Sequence, residues 1–295
     1  MNGVFLSLLL TAVVQANPSV EPEHVKNRLY VKILEPMAKL DAAGVALPPP
    51  VLRDGMSGEE QQKAILKLAG SEQYRKEILR DSVTAPYILK THDIPTEETI
   101  FRSIDLWFVV RGNLEKLNPR QIAGESSGKS IEVGNMRIES RILGDDELKS
   151  RNQFSQAEPD LSHWFVFAKG RLLDRIGFEA TDEAMSTRSA DSLVIASRTS
   201  PEFHSPGPFA NRWRTISTSG EPGPEQTYLG GLVYAKISRL KDVAGALLVE
   251  VHCTFAEPRG WFQGEPILRS KFSLMAQDQV RRLRRELKAK RATSP

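Results

Sequence analysis

Hydrophobic and polar positions change period partway along the chain. In residues 25–40, "VKNRLYVKILEPMAKL", Leu29, Ile33, Met37 and Leu40 recur every three or four residues, the spacing of one helix face. Pro36 falls within that run and predicts a kink or break. Residues 57–70, "SGEEQQKAILKLAG", form a second helical stretch. Ser57 and Glu60 stand at capping-box spacing there, and Gly70 is placed to close the helix. "SEQYRKEILRDS" predicts a third, so residues 25–81 read as a small helical subdomain.

Beyond residue 97 the period becomes two. In "SIDLWFVVRG" Ile104, Leu106, Phe108 and Val110 share one side, and in "MRIESRIL" Met136, Ile138, Ser140 and Ile142 do the same. Five later stretches, "SHWFVFAKG", "LLDRIGFEAT", "DSLVIASRT", "YLGGLVYAKISRL" and "GALLVEVHCTFAEP", continue the pattern between turn-prone segments. Strands without intervening helical patterns predict an antiparallel sheet, strongly bent or partly closed. Residues 199–226 carry five prolines and predict a long irregular loop around a short strand at "RWRTIS". The last stretch is helical again: Ala276, Val280, Leu283 and Leu287 form one apolar stripe, and the arginines are expected on the other faces.

The fold class that follows is α+β: a small N-terminal helical region, then a curved antiparallel β-sheet packed on a long C-terminal amphipathic helix. Residues 1–16 are expected to be a signal peptide, 17–95 the helical region, and 96–295 the β-rich domain with its helix.

Composition agrees with a folded globule: 295 residues, 40% hydrophobic and 26% charged. Cys253 is the sole cysteine, which excludes an intrachain disulfide and a cysteine-based zinc site. Residues 4–14, "VFLSLLLTAVV", are apolar and lead into Gln15 and Ala16, with Val14 and Ala16 as small residues before Asn17. The pattern predicts a cleavable export signal and a secreted or periplasmic protein. A span needs about 20 apolar residues, so no transmembrane segment is expected once the signal is removed.

Charge is concentrated at one end. The chain carries +3 overall, and residues 281–291 alone carry +6. Arg281, Arg282, Arg284, Arg285 and Lys288 are therefore either a solvated face or an attachment to an anionic envelope surface such as acidic lipid. Export argues against nucleic acid.

Candidate chemistry is sparse. Residues 123–130, "AGESSGKS", match a relaxed phosphate-binding loop and also the G-x-S-x-G of a serine-hydrolase elbow. Both motifs need a preceding strand and a following helix. Here "NLEKLNPRQI" precedes and the strand-like "IEVGNMRIESRIL" follows, so a surface loop is the simpler reading. Were it catalytic, Ser126 is the nucleophile and His163, His204 or His252 its base.

In "EVHCTFAE", Glu250, His252 and Thr254 share one strand face and Cys253 the other. Glu250 and His252 could act as an acid–base pair or hold a metal. The alternative is the wet side of a half-buried strand, with Cys253 inert in the core. "THD" at residues 91–93 reads as a turn or cap. Trp261 and Phe262, between Gly260 and Gly264, either cover a core edge or stand out as a clamp on a ligand. No motif calls for a metal or another cofactor.

No stretch carries the motifs of a known family. At the level of the fold alone, a curved antiparallel sheet with a long C-terminal helix across it resembles the helix-grip arrangement of START-type lipid-binding domains. The resemblance implies an apolar cavity between sheet and helix. The reading favoured is an exported, non-enzymatic binding protein for an apolar or amphipathic ligand. Its alternatives are a secreted serine hydrolase using Ser126 and a structural or interaction protein of the envelope.

Overall fold

The computed structural model describes residues 20–35, 47–122, 130–158, 160–262 and 267–292. A short helical turn at Pro22–His24 leads to α1 (Arg28–Ile33), α2 (Gly58–Ala69) and α3 (Glu72–Leu79). Then come β1 (Ile88–Pro95), β2 (Thr99–Arg111), the one-turn α4 (Pro119–Ile122), β3 (Ile131–Val133), β4 (Met136–Ile142) and the short α5 (Asp145–Lys149). The remaining strands are β5 (Gln156–Glu158), β6 (Leu161–Leu172), β7 (Ile176–Arg188), β8 (Ser192–Thr199), β9 (Arg212–Thr215), β10 (Gln226–Thr227), β11 (Gly231–Arg239) and β12 (Ala246–Pro258). Last comes α6 (Phe272–Ala292).

Local chemistry accounts for the helices. The Ser57 hydroxyl accepts from the Glu60 amide while the Glu60 carboxylate accepts from the Ser57 amide, which satisfies two of the free N–H groups at the start of α2. Gly70 closes that helix with φ 76°, a left-handed conformation that favours glycine. Asn27 caps α1 by accepting from the Tyr30 amide. Of the helical run expected over residues 25–40 with a kink or break at Pro36, the described part is α1, which ends at Ile33; Pro36, Met37 and Leu40 lie outside the described residues.

All the strands join one antiparallel sheet in the order β1-β2-β12-β11-β8-β7-β6-β4-β3, with β5 paired to β6, β9 to β7 and β10 to β9. The two ends of that path do not pair, so the sheet is not closed. β1 is a correction: Thr91, His92 and Asp93, expected in a turn, pair with Ile104, Ser103 and Arg102 of β2. Asp93 there accepts from Arg102 at 2.7 Å and from Arg269 at 2.8 Å.

Each face of the sheet is covered. On the inner face α6 crosses β2 and places Ala276, Val280 and Leu287 among Leu106, Phe108, Val110, Trp164 and Leu193. On the outer face lie the N-terminal helices. Leu29, Tyr30 and Ile33 of α1 pack on Met185, Val194, Leu232 and Tyr234, and Ile65 and Ile78 pack on Val109 and Leu248. The N-terminal helices thus bury their apolar side chains in clusters shared with the sheet. Among the described residues no helix is long and apolar enough to cross a membrane.

Candidate functional site

Between the inner face and α6 lies a cavity of about 480 Å³. Strand alternation builds its floor: Ile104, Leu106 and Phe108 of β2 and Val249, Val251, Cys253 and Phe255 of β12 all point the same way. Phe272, Ala276, Val280 and Leu283 of α6 form the roof, and Gln121, Gln279, Arg282 and Glu286 supply its polar lining. Apolar walls with a few polar groups are the composition of small-molecule sites. Leu283 is only partly buried, whereas Val280, which also borders the cavity, and Leu287, which does not, are buried.

A second chamber of about 200 Å³ adjoins the first, sharing Phe178, Tyr228, Cys253 and Phe255 as walls. It contains a carboxyl group, Asp182. The Thr199 hydroxyl donates to Asp182 Oδ1 at 2.7 Å and itself accepts the Gly231 amide at 2.9 Å. The preceding Gly230 has φ 81°, and a Cβ there would collide with Thr199, so the Gly-Gly pair is what lets β11 approach this hydroxyl. Burial, only partly offset by Thr199, pushes the Asp182 pKa up to about 6. Burial and the charge of Asp105 push the Cys253 thiol up to about 12, so it stays protonated on the cavity wall.

Trp261 and Phe262 do not form an exposed clamp. Both are buried, at 1% and 3% exposure. Trp261 stacks on Tyr228 at 5.5 Å and lines the main cavity, while Phe262 packs in the adjoining apolar cluster. Of the two readings offered by the sequence, the rings cover a core edge: they pack with Trp213 of β9 and Phe272 of α6.

Glu250 and His252 lie on the outer face, away from the cavity, and their face is not wet. Glu250, His252 and Thr254 have no exposed surface, because residues 47–56 and α1 cover them. Glu250 accepts the Val51 and Leu52 amides at 2.8 and 3.1 Å and the Trp107 indole N–H at 3.0 Å. His252 Nδ1 donates to Asp105 at 2.6 Å, its ring stacks on Tyr234 at 4.8 Å, and its Nε2 is 3.9 Å from Glu250. Burial disfavours the imidazolium, but Asp105 and Glu250 outweigh it and raise the pKa. Glu250 clamps the covering segment to the sheet; neither group reaches solvent or the cavity.

A second buried network, missed from sequence, sits beside it. Lys236 has no exposed surface and bridges Glu21 to Asp54, the latter at 3.0 Å. His24 Nε2 is 2.8 Å from Ser192 Oγ and 3.4 Å from Asp54, and its Nδ1 is 2.9 Å from Thr187 Oγ1. Burial alone would raise the Asp54 carboxyl; His24, Lys236, Ser189 and Ser192 together hold it well below the usual range. This Ser–His–Asp trio has the wrong polarity for nucleophilic catalysis. The Ser192 proton goes to Asp54 at 2.8 Å, the serine is fully buried, and the histidine offers its other nitrogen to a threonine.

Ser126 lies outside the described residues. Of its suggested bases, His163 is buried against Glu183 at 3.1 Å and His252 is held as above. Among the described residues no group of three or more His, Cys, Asp or Glu side chains is arranged to hold a metal ion. A polar cleft of about 440 Å³ on the outer face is lined by Arg212 and Arg214, both paired with Glu225 and the former also with Glu179.

The basic stripe needs one correction. Arg284 is 6% exposed and points into the protein, donating to the carbonyls of Val109 (2.9 Å), Val83 (3.3 Å), Ala85 (2.5 Å) and Pro86 (3.2 Å). Burial lowers its pKa to about 10. Arg282, Arg285 and Lys288 are exposed and Arg281 is half-buried. Compared with protein-family models and with curated proteins, the chain shows no significant match.

Proposed function

We propose that this is an exported, non-enzymatic binding protein that holds an apolar or amphipathic ligand between its sheet and its C-terminal helix. The observation that carries the reading is the cavity of about 480 Å³ with apolar floor and roof. A fully packed core leaves few voids larger than a water molecule, so an apolar space of this size is uneconomical for stability alone. The fold-level resemblance to helix-grip domains supports the same reading by analogy.

The direct test is a native mass spectrum, with solvent extraction, of the protein purified from its own host. An added mass that is released into organic solvent, and is lost when Ala276→Trp fills the cavity, is the expected result. A bare polypeptide mass, together with failure of neutral apolar dyes to bind, counts against the reading. Export is tested separately: a mature N-terminus at Asn17 is expected, and a start at Met1 or Asn2 argues against it. The exposed Arg282, Arg285 and Lys288 further fit contact with an anionic envelope surface. Co-sedimentation with acidic vesicles that falls with salt and with Arg285→Gln is the check.

A further inference from the structure

Building on the cavity's being a ligand site, we propose that its occupant carries a primary amine, and that this head group is bound in the second chamber by Asp182. The ligand class is then a cationic amphiphile: an apolar chain under α6 with an N–H-bearing ammonium at its end.

Three features converge on this chemistry. Among the described residues the Asp182 side chain has one hydrogen bond, from Thr199 to Oδ1, and no basic side chain pairs with it. Its chain neighbour Glu183, facing the other way, has Arg28, Arg198 and His163. A carboxylate left without a cation in an apolar chamber is costly, and a ligand that brings one removes that cost.

The same chamber is lined by Ser197 and Tyr228, whose hydroxyls make no hydrogen bond among the described residues. With Asp182 they bring three oxygen-bearing side chains to one small space, and an ammonium has three N–H donors. Phe178, Tyr228, Cys253 and Phe255 line both chambers, so this one lies directly beside the larger apolar space, and the proposed molecule places its head in the smaller chamber and its chain in the larger. Finally, desolvation raises the pKa of the half-buried Asp182, and an ammonium beside it reverses that shift.

The experiment is competition against bound Nile red, a neutral dye, by ligands of one chain length: dodecylamine, dodecanol, dodecanoate and dodecyltrimethylammonium. Dodecylamine is expected to displace the dye at a concentration at least about tenfold below dodecanol, since a charge-assisted hydrogen bond gives a difference of that order. Dodecyltrimethylammonium, charged but without N–H donors, is expected to be weaker than dodecylamine. Asp182→Asn should abolish the preference for the amine and leave dodecanol within about twofold. Equal displacement by amine and alcohol, or a preference that survives Asp182→Asn, overturns the amine assignment while leaving the cavity reading intact. If none of the chains displaces or binds, the cavity reading itself falls and the amine with it. Should the variant not fold by circular dichroism, the ranking of the four ligands on the unaltered protein decides the matter.

Discussion

Asp182 and Glu183 are neighbours on β7, yet their carboxyl groups live in opposite conditions. Asp182 points to the inner face, where among the described residues its side chain has one hydroxyl partner and desolvation pushes its pKa up to about 6. Glu183 points to the outer face. Burial alone would raise it too, but His163, Arg198 and Arg28 bring it down to about 2. The two residues stand for their faces. Where the N-terminal segment covers the outer face, buried charges are paired among apolar contacts; the inner face is an apolar layer that leaves open space and, among the described residues, a carboxyl, Asp182, without a cation. The difference teaches that one strand can carry a charge satisfied within the chain on one side and a charge left to a cavity on the other.

Breaking the outer network should have the largest effect. Lys236→Met leaves Glu21 and Asp54 without their cation and is expected to cost about 3 to 5 kcal/mol in urea unfolding. A loss under about 1 kcal/mol would show that this layer does not hold the N-terminal segment down.

On the inner face the comparison sharpens within one helix. Leu287→Ala, at a packed position, should cost about 2 to 5 kcal/mol, and Leu283→Ala, which already borders the cavity, distinctly less. Equal losses would argue that the cavity collapses in solution.

The two carboxyls should give stability profiles of opposite slope. The Glu183 contribution is present above its ordinary value of 4.5 and is lost as pH falls towards 2; that of Asp182 is fully present below 3.8 and is lost as pH rises through about 6. Glu183→Gln should therefore flatten the acid limb. Asp182→Asn should stabilise the protein relative to wild type above pH 6, each change being roughly 2 to 3 kcal/mol at 1.36 kcal/mol per pKa unit. Urea midpoints measured from pH 3 to 8 give both slopes, and a common sign for the two would erase the contrast between the faces.

The smallest contrast lies on α6. Arg284→Gln strands carbonyl acceptors and is expected to cost about 1 to 3 kcal/mol, while Arg285→Gln should change stability by less than about 0.5 kcal/mol. Thermal melts of the pair, side by side, are sufficient to tell them apart.

Much of this architecture was legible without coordinates. Ser57, Glu60 and Gly70 mark the ends of α2 because capping is chemistry between near neighbours. The alternation in β2, β4 and β12 marks strands because side-chain direction reverses at each residue whatever the surroundings. The stripe Ala276, Val280, Leu283 and Leu287 marks the inward side of α6 for the same kind of reason, with Leu283 only partly buried. The candidate cavity was legible only as a consequence of that architecture, and its polar chamber was not legible at all. Nothing around Asp182 distinguishes it from Glu183, since the groups that neutralise the latter arrive from positions 28, 163 and 198.

What the amino-acid order determined by itself is therefore period and local closure: which residues are helical, which alternate, where helices start and stop, and that the last helix is amphipathic. Only the tertiary structure decided which polar residues are buried. Glu250 and His252 are sealed under residues 47–56, Arg284 turns inward to backbone carbonyls, and Asp182 has no cation beside it among the described residues. The physical reason is range. Hydrogen-bond caps and strand alternation act over a few residues, whereas the burial and pairing of a charge depend on which distant segment comes to lie across it, and here those segments are separated by more than a hundred residues.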